Sequence, residues 1–183
     1  MVTLPMLWLP ILLSAVFVFI AFNLLWMPIP FWHRKDYGKI ADDRSFMALL
    51  ANVKSGQYML PSIDWHELSK EELAKVQAGP GAVLIVRNPM PLAFGSKLIS
   101  LFIYNLVVAT FIAYVCRLAL PIGAPYPHVF RVAATAGFLG YSFNTISDSI
   151  WYGKPWPITV RFSIDGVIYG LLIGGTFGWL WPR

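Results

Sequence analysis

Glycine recurs at every fourth position along the last apolar stretch of the chain, at Gly166, Gly170, Gly174 and Gly178, within Asp165-GVIYGLLIGGTFGWLW-Pro182. In a water-exposed helix each interior glycine costs about 1 kcal/mol relative to alanine. In lipid the same spacing has a use: glycines four apart line one stripe and let a second helix approach closely, so that dispersion contacts replace the missing hydrophobic drive. Steps of four drift by about 40° around the helix, which fits a right-handed crossing. The spacing therefore predicts a transmembrane helix packed tightly on a neighbour.

Composition agrees. Of 183 residues, 57% are hydrophobic and 13% charged, with a mean hydropathy of +0.62. Soluble domains are more charged and less apolar, so the chain belongs to the membrane class. The net charge of +5 does not indicate nucleic acid, because the cations form no run or basic helix face and cluster beside apolar segments, as the positive-inside bias requires. The single cysteine, Cys116, excludes an internal disulfide and reads as a small buried hydrophobe.

Four stretches reach the length of about 20 residues that a hydrocarbon core demands. They run from about Met6 to Met27, Leu98 to Leu120, His128 to Ser147 and Phe162 to Trp181. The first lacks a cationic n-region and is followed by Pro28-Ile29-Pro30-Phe31-Trp32 instead of a small-residue cleavage site, so it reads as a retained anchor. The expected fold is an α-helical integral membrane protein. It divides into an anchor (1–27), a small α/β lobe (28–97) and a three-span helical bundle (98–183). His33, Arg34, Lys35, Lys39, Lys97, Lys154 and Arg161 place residues 28–97 and the 148–161 loop in the cytoplasm and both termini outside.

Within the lobe, Phe46, Leu49, Leu50 and Val53 recur at helical spacing. Ser69 and Glu72 have the spacing of a capping box, and Gly79-Pro80 stops the helix they open. Residues 57–60 read as a short strand and residues 82–86 as a buried one. So small a piece has too little core of its own and is expected to lean on the bilayer, the helix ends or a partner.

Reactive constellations are scarce. His33, His66 and His128 lack the short mutual spacing of zinc or haem ligands. Trp65-His66-Glu67 outlines an acid/base pair on a polar loop and nothing more. No nucleophile elbow, phosphate-binding loop or dinucleotide fingerprint occurs, so the expectation is no metal, no cofactor and no catalytic residue. Ionisable and amide residues near membrane depth are the better lead. Ala136, Gly140, Asn144 and Asp148 are spaced four apart on span three, and Arg161 and Asp165 four apart at the opening of span four. Asn23 and Asn105 add amides to spans one and two. One reading is a polar seam that passes an ion or proton. The simpler reading leaves Asp148, Lys154, Arg161 and Asp165 at the cytoplasmic interface, meeting water and one another, with the two asparagines as interhelical hydrogen-bond partners.

The hairpin Trp151-Tyr152-Gly153-Lys154-Pro155-Trp156-Pro157 combines turn residues with aromatic anchors for headgroup depth. It makes span three, with Ala133, Gly137 and the Ala136/Gly140 pair, the first-choice partner of the glycine stripe. Self-association or docking on another subunit is the alternative. The candidate residues are thus Gly166, Gly170, Gly174, Gly178, Gly137 and Gly140 for packing. Asp148, Trp151, Lys154, Trp156, Arg161 and Asp165 are those of the interfacial hairpin.

The stretches Asp148-Ser149-Ile150-Trp151-Tyr152-Gly153-Lys154-Pro155-Trp156, Asp165-Gly166-Val167-Ile168-Tyr169-Gly170 and Thr176-Phe177-Gly178-Trp179-Leu180-Trp181-Pro182 resemble a family of uncharacterised small bacterial membrane proteins. Tyr58-Met59-Leu60-Pro61 and Gly79-Pro80-Gly81 fit the same resemblance. It implies a bacterial inner membrane and four spans, and carries no activity across. The expected function is a non-enzymatic accessory or assembly subunit, with the lipid bilayer and another membrane protein or itself as partners. The alternatives are a small transporter or channel assembled through the glycine faces, and an enzyme on a lipid-linked substrate using Asp148, Lys154 and Asp165.

Overall fold

The computed structural model describes residues 1–27, 30–62, 69–88 and 94–183. Trp65, His66 and Glu67, the one acid/base outline in the sequence, lie outside the described residues, as does the side chain of Glu72. The chain divides into a helical unit, Met1–Tyr37 with Phe94–Arg183, and a lobe, Gly38–Ala93.

The helical unit begins with a short 3-10 turn, Leu4–Leu7, that runs into α1, Trp8–Trp26. A four-residue helix, α2, Pro30–His33, follows. Three long helices complete the unit: α5, Phe94–Ala119, α6, Tyr126–Trp151, and α7, Trp156–Trp179. They close a ring in which α1 packs on α5, α5 on α6, α6 on α7 and α7 back on α1, with α6 and α7 by far the most intimate pair. The middle of the ring holds Val18, Ile112, Cys116, Val129, Ala133, Tyr169, Ile173 and Phe177.

Local sequence explains where α6 and α7 start. Each opens on a Pro–aromatic–Pro triplet, Pro125-Tyr126-Pro127 and Pro155-Trp156-Pro157, whose first proline is the N-cap. Proline in a first turn loses no hydrogen bond and arrives with helical φ already set. For this reason α7 begins six residues before the expected Phe162, and Arg161 and Asp165 sit inside the helix instead of at its mouth. The turns that precede these helices contain Gly123 (φ 75) and Gly153 (φ 68), in the left-handed region that a side chain disfavours. The C-terminus is fastened to the first of them: Trp181 Nε1 donates to the Pro121 carbonyl at 2.9 Å, and Gly123 N to the Pro182 carbonyl at 2.9 Å.

Three helical stretches, Leu4–Trp26, Phe94–Ala119 and Trp156–Trp179, are long and apolar enough to cross a membrane. Helix α6 has the length, 26 residues, but Arg131, Asn144, Asp148 and its serines and threonines leave it less apolar. Four crossings are thus not established by apolarity alone.

The lobe comprises α3, Asp43–Leu50, β1, Gly56–Leu60, α4, Lys70–Ala78, and β2, Ala82–Val86. The strands pair antiparallel from Gly56↔Val86 to Leu60↔Ala82. Asp42 caps α3 by accepting from Ser45 N at 3.0 Å, which holds its carboxyl below the usual aspartate value. No described residue of the lobe is buried, so β2 is not the buried strand that its continuous apolar run suggests; two strands and two short helices enclose too little to cover it.

Candidate functional site

The glycine stripe of α7 faces α6 of the same chain. A Cβ added at Gly170 would lie 2.7 Å from the Ala134 carbonyl oxygen and 3.0 Å from Phe138 N. At Gly174 it would meet Ala134 Cβ at 2.8 Å and the Phe130 carbonyl at 2.9 Å. At Gly166 it would overlap the Ser142 hydroxyl, and at Gly178 it would press on the Tyr126 ring at 2.7 Å. Gly137 of α6 answers from the other side, where a Cβ would be 3.0 Å from Gly170 Cα. The backbones themselves are in contact, which only glycine permits. Gly140 lies apart from this seam, toward Val108 of α5.

Near the start of α7 the structure assembles a group of charges that the sequence separates by more than 120 residues. His33, at the end of α2, is 6% exposed. Its Nδ1 lies 2.6 Å from Asp36 Oδ2 and its Nε2 lies 2.8 Å from Asp165 Oδ2. The remaining carboxylate oxygens have donors of their own. Trp32 Nε1 donates to Asp165 Oδ1 at 2.7 Å, and Arg161 donates to Asp36 Oδ1 from Nε at 2.7 Å and also from Nη2. The His33 ring stacks on Trp26 of α1 (centroids 4.0 Å apart, planes 15° apart) and meets the edge of Phe162 of α7 at 5.4 Å. Two aromatic walls thus keep water from the imidazole, while Trp32 and Arg161 border an open groove of about 640 Å³, shared with Trp156, Pro157, Val160 and Ile164.

The hairpin residues divide between this cluster and the surface. Asp165 is buried and pairs with His33, so it neither meets water nor joins Asp148 and Lys154 as the simpler sequence reading had it. His33 is likewise no part of a solvated cationic group. Arg161 joins the cluster through Asp36. Lys154 stays outside it: Nζ donates to Thr145 Oγ1 at 2.8 Å, lies 3.9 Å from Asp148 Oδ2 and sits 4.1 Å over the Phe162 ring. Trp151 and Trp156 are exposed, at 76% and 55%. A polar clasp behind them joins Ser149 Oγ and Thr159 Oγ1 at 2.5 Å.

The amides fare differently from one another. Asn105 accepts from the Tyr141 hydroxyl at 2.9 Å, linking α5 to α6, whereas Asn23 donates to Phe19 O of its own helix at 2.7 Å and bridges nothing. Asn144 is exposed, so the expected polar stripe along α6 does not face the ring interior. Among the described residues no group of three or more His, Cys, Asp or Glu side chains could hold a metal ion.

Sequence reasoning missed the His33–Asp36–Asp165 group. One signal pointed toward it: an aspartate inside an apolar helix demands a partner, and such residues rarely face lipid. Which partner it takes depends on the path of α2, which no local pattern encodes.

The fold defines a class, a helical protein with three helices long and apolar enough to cross a membrane and a small two-stranded lobe. Beyond that class, comparison with known proteins brings no match, whether to a protein-family model, to a curated protein or to a solved structure.

Proposed function

We propose that the chain is a non-enzymatic integral membrane protein, an accessory or assembly subunit that offers its lobe to a partner protein. One observation carries this reading: the lobe leaves its apolar side chains uncovered. Met59 and Val83 lie opposite each other across the strand pair with Ile85 on the same face, and they are 49%, 38% and 68% exposed. Met47 and Leu49 of α3 are exposed at 64% and 75%. An exposed apolar face such as that of Met59, Val83 and Ile85 fits a surface that something else covers.

In this reading α1, α5, α6 and α7 all cross the bilayer, α6 being shielded by its neighbours on two sides. The cations flanking α2 and α7 place the lobe in the cytoplasm and both termini outside. The family resemblance supplies the bacterial inner membrane. In this reading the cluster is structural, both ring nitrogens of His33 and both carboxylate oxygens of Asp165 having partners within the chain. A channel assembled through the glycine face has less support, because α6 of the same chain already occupies that face.

Purification of the tagged full-length protein from its own membrane in mild detergent tests the proposal. The expected result is a stoichiometric partner that is lost when Met59, Val83 and Ile85 are replaced by serine, with the thermal unfolding of the helices unchanged. A lone monomer, or a partner retained by the triple variant, would sink it.

A further inference from the structure

Hydrogen-bond accounting at the buried cluster requires one more proton than two carboxylates, an arginine and a neutral imidazole possess. Ionised carboxylate oxygens only accept, and neutral imidazole has a single N–H to give. Trp32 and Arg161 are donors without exception and satisfy Oδ1 of each aspartate. Oδ2 of Asp36 and Oδ2 of Asp165 therefore both look to His33, at 2.6 and 2.8 Å. With a neutral ring, one of these short contacts would set two lone pairs against each other in a buried site. With one added proton every contact is a hydrogen bond, and the charges of Asp36, Asp165, Arg161 and the imidazolium sum to zero. The same count results if the proton sits on Asp165 and is donated to Nε2.

We propose that His33 and Asp165 form a proton-binding site, and that the bound proton latches the Trp32–Asp36 segment to α7. The inference rests on this cluster alone and not on the docking function of the lobe. On its own segment Asp36 engages the ring, while Arg34 and Lys35 are exposed. Helix α7 contributes Arg161, Asp165 and, one turn further along, Tyr169. Helix α1 contributes the uncharged Trp26. Lys154 stands beyond the Phe162 ring, paired with Asp148 of α6. None of these supplies a second proton between His33 and Asp165.

The sign of the pH dependence follows. The closed cluster holds the proton and the open segment does not need it, so closure stabilises the latch at low pH and that stabilisation is lost as pH rises. Loss of the proton leaves a net negative charge among Trp26, Phe162 and Trp32, and the segment leading to the lobe comes away from α7.

The isosteric variant Asp165→Asn tests this directly. Asparagine donates its N–H to a neutral His33 Nε2 and accepts from Trp32, so all contacts persist without the added proton. For the full chain in lipid nanodiscs, the apparent unfolding midpoint of the wild type is expected to fall by about 3–6 °C from about pH 6.5 to about pH 9. That of the variant is expected to hold steady. Parallel curves for the two proteins would overturn the proposal. A second readout needs no variant that folds: in wild-type protein with 15N-labelled histidine, one ring is expected to show either two protonated nitrogens or a strong bond to a carboxylic acid at neutral pH. Three ordinary neutral or solvent-titrating histidines would overturn it as well.

Discussion

The helical unit and the lobe come from one chain and are held by opposite means. Between α6 and α7, glycines bring backbones within van der Waals contact, and beside α7 His33 is held by two aspartates against the rings of Trp26 and Phe162. In the lobe, two five-residue strands and two short helices bury no described residue, and Met47, Leu49 and Ile85 stand in the open. Backbone-close packing makes the helical unit self-sufficient where lipid offers no hydrophobic drive between helices. The lobe has too few residues to enclose a core. What it lacks in internal packing it presents as surface, in contrast to the close-packed helices.

The sharpest way to break the comparison is at Gly170. Gly170→Leu must displace Ala134 and Phe138 backbone, and is expected to cost on the order of 3 kcal/mol or to prevent assembly. Leu171→Ala, at a side chain 50% exposed, is expected to change stability by about 0.5 kcal/mol. Unfolding of the two variants in the same detergent measures both. Equal losses would mean that the α6–α7 seam is not what holds the helices.

A second comparison separates the buried charges from the surface ones. Asp36→Ala leaves Arg161 without its carboxylate and His33 Nδ1 without its partner, and is expected to cost about 3 kcal/mol. Asp148→Ala removes a half-exposed carboxylate 3.9 Å from Lys154 and is expected to cost about 0–1 kcal/mol. Similar unfolding midpoints for the two would reduce the cluster to an ordinary interfacial ion pair.

The smallest effect belongs to the lobe. Asp42→Ala removes the cap of α3 and is expected to speed hydrogen exchange of α3 amides while leaving α7 amides unchanged. The carboxyl of Asp42 lies below its ordinary value when it accepts from Ser45. Its contribution is therefore present at neutral pH and lost as pH falls below about 4 in the wild type. Coupled loss of protection in α7 would show the two units to be one cooperative body.

Much of this architecture was legible from short-range pattern. Apolar length marked the helices, glycine spacing marked a close-packed face on α7, and a continuous apolar run rich in β-branched residues marked the strand at 82–86, though not its exposure. Proline and glycine marked the turns, although the proline pairs at 125–127 and 155–157 were read as turn chemistry when they also start helices. These signals are local: each depends on residues within a turn or two of one another, and backbone sterics and side-chain periodicity act at that range. The identity of partners is another matter. From the sequence Asp165 reads as a solvated interfacial charge, because the histidine it pairs with stands 132 residues away. Only the ring of α1, α5, α6 and α7 brings α2 to that depth. Asn23 and Asn105 are the same residue type in similar apolar helices, yet one bonds its own helix and the other a neighbour, because rotation about the helix axis is set by packing. The sequence by itself determined the helices and the faces they offer; tertiary structure alone decided which faces met, since that choice minimises the free energy of the whole bundle and not of any one segment.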